Sequence, residues 1–153
     1  MPTPSETLAQ LGIALPEAAK PVASYIPARQ SGAHVFISGQ VPFLEGELMA
    51  AGSVPGEVSF ETAVACARQC GINILAAAHA LVGIDRVAGV VRLGGFVACG
   101  PDYGDQPKII NGASELMLDV FGDSGRHARA AVGVTSLPLR APVEIEAVLE
   151  LAT

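Results

Sequence analysis

The stretch GRHARAAVGVTSLPLRAPVEIEAVLEL, from Gly125 to Leu151, reads as two apolar strands joined by a short turn that carries Pro138. Successive residues of a strand point to opposite faces. In the second segment Val143, Ile145, Ala147, Leu149 and Leu151 share one face; Glu144, Glu146, Val148 and Glu150 share the other. In the first, Ala128, Ala130, Val132 and Val134 alternate with Arg129, Ala131, Gly133 and Thr135. Paired as a hairpin in simple register, the two apolar sets pack under helices, and Arg129 falls on the face of Glu144 and Glu146. Taken alone, these charges read as a solvated outer face with surface ion pairs, which contribute little to stability. Two features weigh against that. Ala131 and Gly133, beside Arg129, are small and leave room for something to pack or bind, and the chain is apolar enough to expect this face to be covered by another subunit. In a partly covered cleft an arginine can grip a carboxylate in a bidentate fork, and a nearby carboxylate can orient or deprotonate water.

The chain has 153 residues, half of them apolar and 16% charged, with a mean hydropathy of +0.45. That length suits one domain, residues 1–153, with a respectable core. No apolar run approaches the roughly 20 residues that cross a bilayer. The opening MPTPSETLAQLG has neither a basic start nor an apolar stretch, so no secretion signal is expected. Net charge is −6, and the nine lysines and arginines are scattered, without the basic patch of a nucleic-acid binder. Cys66, Cys70 and Cys99 form neither a disulfide framework nor a metal set, and read as apolar filler in a reducing cytoplasm.

Along the chain, residues 1–32 are expected to form an arm: a short helix near Ser5–Leu11, then an extended segment. HVFISGQV, His34–Val41, is β-branched and aromatic and predicts a strand. LEGEL predicts a tight turn around Gly46. Phe60, Ala63, Ala67, Cys70, Ile74, Ala78 and Leu81 recur at helical spacing and predict a helix from Phe60 to Leu81, stopped by Gly83. RVAGVVRLGGFVACG predicts a long strand whose interior Gly89, Gly94 and Gly95 mark a bulge or a close backbone approach. A second helix starts at Gln106 or Ile109 and runs to Phe121, with Ile109, Ile110, Ala113, Leu116, Met117 and Val120 inward and Gly122 as its stop. The order β-β-α-β-α-β-β predicts an α+β sandwich, two helices on one face of a mostly antiparallel sheet.

Three motifs together carry a resemblance: FISGQVP (Phe36–Pro42), HARAAVGV (His127–Val134) and PVEIEAV (Pro142–Val148). They resemble the RidA/YjgF family of reactive-intermediate deaminases from about Tyr25 to the C-terminus. IINGASELMLDVFG (Ile109–Gly122) and GRHARAAVGV look closest to its longer branch, labelled chorismate-mutase-like or "putative endoribonuclease". The resemblance implies a chorismate-mutase-like fold assembled into a homotrimer with a barrel-like centre, outer helices and clefts between subunits. It implies hydrolysis of enamines and imines to 2-keto acids and ammonia, with no metal or cofactor. By the same resemblance Arg129 grips the substrate carboxylate and Glu144 positions the attacking water. Tyr25, Ser38, Gly39 and Asn111 line the cleft. The family often has cysteine two positions after the arginine, where this chain has Ala131, and glutamine two after the tyrosine, where it has Pro27.

Other residues carry less. His127 points away from Arg129 if the strand has begun, and a structural role suits it. His34 and His79 read as ordinary histidines, Glu146 as a subunit-contact residue and Glu150 as rim. Tyr103 lies in a loop able to close over a ligand. Gly94–Gly95 lacks the helix start of a phosphate loop. Three other functions stay open: deamination of another small carboxylate of aminomuconate type, a non-catalytic ligand-binding trimer using the same arginine, and an endoribonuclease, which the acidic charge disfavours.

Overall fold

The computed structural model describes residues 1–18, 20 and 24–153; of the expected N-terminal arm, residues 19 and 21–23 lie outside them. The chain forms α1 (Pro4–Gln10), β1 (Ala28–Ser31), β2 (His34–Gln40), β3 (Phe43–Leu44), β4 (Glu47–Leu48), α2 (Phe60–Val82), β5 (Val87–Ala98), α3 (Gln106–Phe121), β6 (Ala128–Val134) and β7 (Val143–Leu151). Five strands make one sheet in the order β1-β2-β7-β5-β6, and β3 and β4 form a separate hairpin. Within the large sheet only β5 and β6 run parallel. This is an α+β architecture with a mostly antiparallel sheet.

Local chemistry explains the helices. Ser59 caps α2 by accepting from the Thr62 amide, and Gly83, at φ 80°, ends it. In α3, Pro107 sits in the first turn, where a missing N–H is harmless, and Gly122, at φ 58°, terminates it. Both helices bury their apolar stripes against one face of the sheet, where Leu93, Val97, Ile145 and Leu149 are fully enclosed. The helices also press on each other. A Cβ at Gly112 would collide with the Val64 backbone carbonyl, so α3 approaches α2 at a distance that only glycine permits. The β3–β4 loop is the expected tight turn, with Glu45 (φ 53°) and Gly46 (φ 84°) both left-handed as a two-residue hairpin needs. The glycines of β5 divide as expected between bulge and close approach: the register slips between Val87 and Gly89, and a Cβ on Gly95 would meet Ile110 of α3.

Three expectations are corrected. First, β6 and β7 are not a hairpin. β5 lies between them, and β6 pairs with β5 in parallel. The cause is α3: a crossover helix between β5 and β6 returns the chain to the same end of the sheet. Second, the faces of β6 are inverted. Arg129 is in register with buried Leu93 and points to the helix side, whereas Ala128 and Val132 are exposed on the opposite face. Arg129 and Glu144 therefore lie on opposite faces of the sheet. Third, the arm contributes a strand of its own, β1, which pairs with β2 and extends the sheet by one edge.

Helix α1 is tied down far from its sequence neighbours. Thr3 and Glu6 form a capping box, and the Ser5 amide and hydroxyl both donate to Asp85, at 2.8 and 2.7 Å. The sheet face away from α2 and α3 carries apolar groups in the open: Phe36 is 49% exposed and Val132 45%. On the same face Arg92 and Glu146 stand 3.8 Å apart.

Candidate functional site

The expected site residues separate into two groups. The first is built around Arg129 at the β6 edge. Its Nη1 donates to Asn111 Oδ1 at 2.8 Å and to Ser114 Oγ at 3.0 Å, both on α3. Asn111 and Ser114 are three residues apart and so share one helix face. The hydroxyl of Ser114 lies 2.9 Å from His127 Nε2, and His127 Nδ1 donates to the Gly125 carbonyl at 2.6 Å. The expectation that His127 turns away from Arg129 fails. Residues 127 and 129 are two apart and alternation puts them on one face, so His127 turns to the same side as Arg129 and its ring meets Ser114 of α3. Ala131 follows Arg129 on the helix-side face, in register with Gly95 and packed against the core.

The second group surrounds Glu144, which faces Phe96 across the β5–β7 pair. Its half-buried carboxyl is raised above its ordinary value, first by burial and then by the like charge of Glu146. A cavity of about 270 Å³ opens beside it, lined among others by Tyr25, Pro27, Gly39, Gln40, Phe43 and Leu139. Gly39 sits where β2 slips register against β7, and a Cβ there would run into the Glu144 carboxylate. The glycine is thus the space that the carboxylate occupies. Ser38 donates its hydroxyl to the Ile26 carbonyl at 2.7 Å, and its amide bonds to the Pro27 carbonyl at 2.9 Å. It fastens the arm that presents Tyr25. Ser38 and Tyr25 also line a larger groove, about 660 Å³, on the open sheet face with Arg29, Arg92 and Glu146. Leu139, at φ 59° and 65% exposed, overhangs the smaller cavity.

Within one chain the groups do not meet. Phe96 pairs with Glu144 on one side and with Val132 on the other, so the two outer strands are two spacings apart, about 10 Å. Arg129 lies three residues further along β6, on the other face. Asn111 and Ala131 accompany Arg129; Tyr25, Ser38 and Gly39 accompany Glu144. Sequence reasoning missed Ser114, although its position three residues after Asn111 on a helix was the available signal. It also missed Gln40 and Leu139, whose places depend on the β2 bulge and on the loop before β7.

The cysteines take no part in either group. All three are buried and unlinked, and burial pushes the Cys66 thiol up to about 11 and Cys70 up as well. The thiols of Cys66 and Cys70 therefore stay protonated and are poor nucleophiles and metal ligands. Among the described residues no three His, Cys, Asp or Glu side chains gather as a metal set. No described helix is long and apolar enough to cross a membrane.

The comparisons agree with this fold. Residues 5–151 match the family described as "YjgF/chorismate_mutase-like, putative endoribonuclease". The Trypanosoma cruzi protein TCP17 is 40% identical over 146 residues, which span 94% of this chain and 91% of that protein. A crystal structure from Shewanella oneidensis, titled a "putative endoribonuclease", superposes with a TM-score of 0.92 at 30% identity, covering 98% of this chain and 100% of that one. RidA from a Psychrobacter species superposes with a TM-score of 0.64 at 29% identity, covering 90% or so of each chain (88% and 94%). With the motifs, the strand order and these matches in agreement, the chain belongs to the RidA/YjgF family.

Proposed function

We propose that the chain is a cytoplasmic homotrimer that hydrolyses small 2-imino acids, and their enamine tautomers, to 2-keto acids and ammonia. The observation that carries this reading is Glu144, a half-buried carboxylate of raised proton affinity beside a small cavity. A base suited to neutral pH needs that kind of elevation. Arg129 supplies the complementary group, a guanidinium held by Asn111 and Ser114. Because the two lie on opposite faces, the reaction needs Arg129 of one subunit opposite Glu144 of its neighbour. The exposed Phe36 and Val132 supply apolar surface for such packing.

The substrate carboxylate binds Arg129, which fixes the imine carbon near Glu144. Water adds to that carbon as Glu144 takes a water proton, and a proton from solvent converts the imine nitrogen to the amine of a tetrahedral amino alcohol. The C–N bond then breaks, Glu144 returns its proton to the departing nitrogen, and the hydroxyl proton leaves to solvent as the keto group forms. One water is consumed and one ammonia released. The uncatalysed reaction already proceeds in water, so a modest acceleration suffices.

The test is decay of 2-iminopropanoate, generated in situ by an amino-acid oxidase and trapped with semicarbazide. Faster decay with the native chain, and a blank rate with Arg129→Ala, is the expected result. A native chain no faster than the blank overturns the proposal. The endoribonuclease label of the family points to a control with RNA. A net charge of −6 leads us to expect no cleavage.

A further inference from the structure

We propose that Ser114 and His127 are positioning residues which commit one nitrogen of Arg129 to the fold and leave its Nε–Nη2 edge as the carboxylate fork. This rests on the role given above to Arg129.

The inference comes from counting protons. A guanidinium carries five N–H groups, two of them on Nη1. Both Nη1 protons have acceptors, Asn111 Oδ1 at 2.8 Å and Ser114 Oγ at 3.0 Å. An incoming carboxylate therefore cannot take the Nη1–Nη2 edge without breaking one of these bonds. The Nε–H and its neighbouring Nη2–H remain, and these two run parallel at the spacing of carboxylate oxygens.

His127 decides which way Ser114 faces. The Gly125 carbonyl, 2.6 Å from Nδ1, can only accept, so Nδ1 carries a proton. In the neutral ring Nε2 is then the acceptor. It takes the Ser114 hydroxyl proton across 2.9 Å, which leaves the oxygen lone pairs for Arg129. A helical serine ordinarily bonds back to a carbonyl of its own helix; here its hydroxyl links two groups outside the helix. The anchor at the far end is firm. Gly125 is buried, and a Cβ there would strike the Met117 backbone carbonyl. The relay from Gly125 through His127 and Ser114 to Arg129 thus fixes the plane of the guanidinium before substrate arrives, which lowers the ordering cost of binding.

The test uses the full chain labelled with ¹⁵N. Long-range ¹H–¹⁵N spectra report the His127 tautomer, relaxation reports the order of Arg129 Nε–H, and pyruvate serves as the carboxylate probe. The expected results are an Nδ1–H tautomer and a pyruvate-induced shift of Arg129 Nε–H. Ser114→Ala is expected to loosen Nε–H, weaken pyruvate by about tenfold and raise KM for the imine more than it lowers kcat. His127→Leu, at a partly exposed position, should do the same, while His127→Gln, whose amide oxygen can accept the Ser114 proton, should recover to within about threefold. An Nε2–H tautomer overturns the relay, as does native Nε–H order in both Ser114→Ala and His127→Leu. If the native chain neither binds pyruvate nor hydrolyses the imine, the proposed function falls. The relay is then judged on the ligand-free tautomer and order alone.

Discussion

Arg129 and Glu144 are both partly buried charges on strands of one sheet, yet the fold treats them in opposite ways. Arg129 is bound into its surroundings: two acceptors on α3 hold Nη1, and one of them is itself held by His127. Glu144 is crowded, with burial and the charge of Glu146 both opposing its ionisation. Bonds make the first a rigid anchor with little freedom left to lose. Desolvation makes the second a stronger base than an exposed glutamate, and the fold bears that cost. In the proposed reaction this difference becomes a division of labour, binding at one edge of the sheet and proton transfer at the other.

The sharpest way to break this picture is to separate the two halves genetically. Arg129→Ala and Glu144→Gln should each abolish acceleration of imine decay. If the halves meet across a subunit boundary, co-refolding the two variants in equal amounts should recover about a quarter of the native rate, because half of the subunits carry each intact residue. No recovery in a mixture shown by mass spectrometry to contain hetero-oligomers places both residues in one chain's site and overturns the division.

A smaller effect is expected from Gly39→Ala. The added methyl fills the space of the Glu144 carboxylate and forces it aside. Imine hydrolysis should fall by about a hundredfold, the scale on which a misplaced group by 1 Å is felt. Pyruvate affinity at Arg129 should fall much less, since the anchor is elsewhere. Equal losses in both would show that the halves are not independent.

The pH profile gives a third, finer test. In the proposed reaction ionised Glu144 is the active form, so activity should fall on acidification through a limb lying above the ordinary glutamate value of 4.5. Glu146→Gln removes the second cause of the elevation and should move that limb to lower pH. It should stop short of the ordinary value, because burial is the larger cause. An unmoved limb would assign it to another group.

The smallest effect concerns stability. A carboxyl raised in the fold binds its proton more tightly there than in the unfolded chain. Its contribution is least favourable above the folded value and recovers as pH falls through it. Glu144→Gln should therefore raise Tm at pH 7.5 by about 2 °C, reduced from a fully buried case by solvent screening. The gain should shrink toward acid pH. Scanning calorimetry at the two pH values reads both parts.

Much of the fold was legible because the local signals were strong. Apolar residues at helical spacing mark α2 and α3, Gly83 and Gly122 end them, and valine or isoleucine against glutamate makes the inner face of β7 unmistakable. Strand β6 offers no such contrast. Its two sets are Ala128, Ala130, Val132 and Val134 against Arg129, Ala131 and Gly133, all small or apolar apart from the arginine. Alternation defines the sets but does not say which one faces the helices, and the presence of the charge pointed to the wrong side. The missing fact was that α3 presents Asn111 and Ser114 as acceptors, which lets an arginine lie beneath a helix. β1 was missed for a related reason. ARQS has little strand character, and its pairing with β2 supplies what its residues lack.

The sequence by itself determined the helices, the long strands, the apolar face of β7 and, through three motifs, the family. These follow from periodicity and capping, which act within a few residues. Only the tertiary structure decided that β5 separates β6 from β7, that Arg129 and Glu144 stand on opposite faces, and that Gly39 makes room for the carboxylate. Strand order and facing are set by contacts between segments far apart in the chain, and a single alternating pattern satisfies either facing equally well.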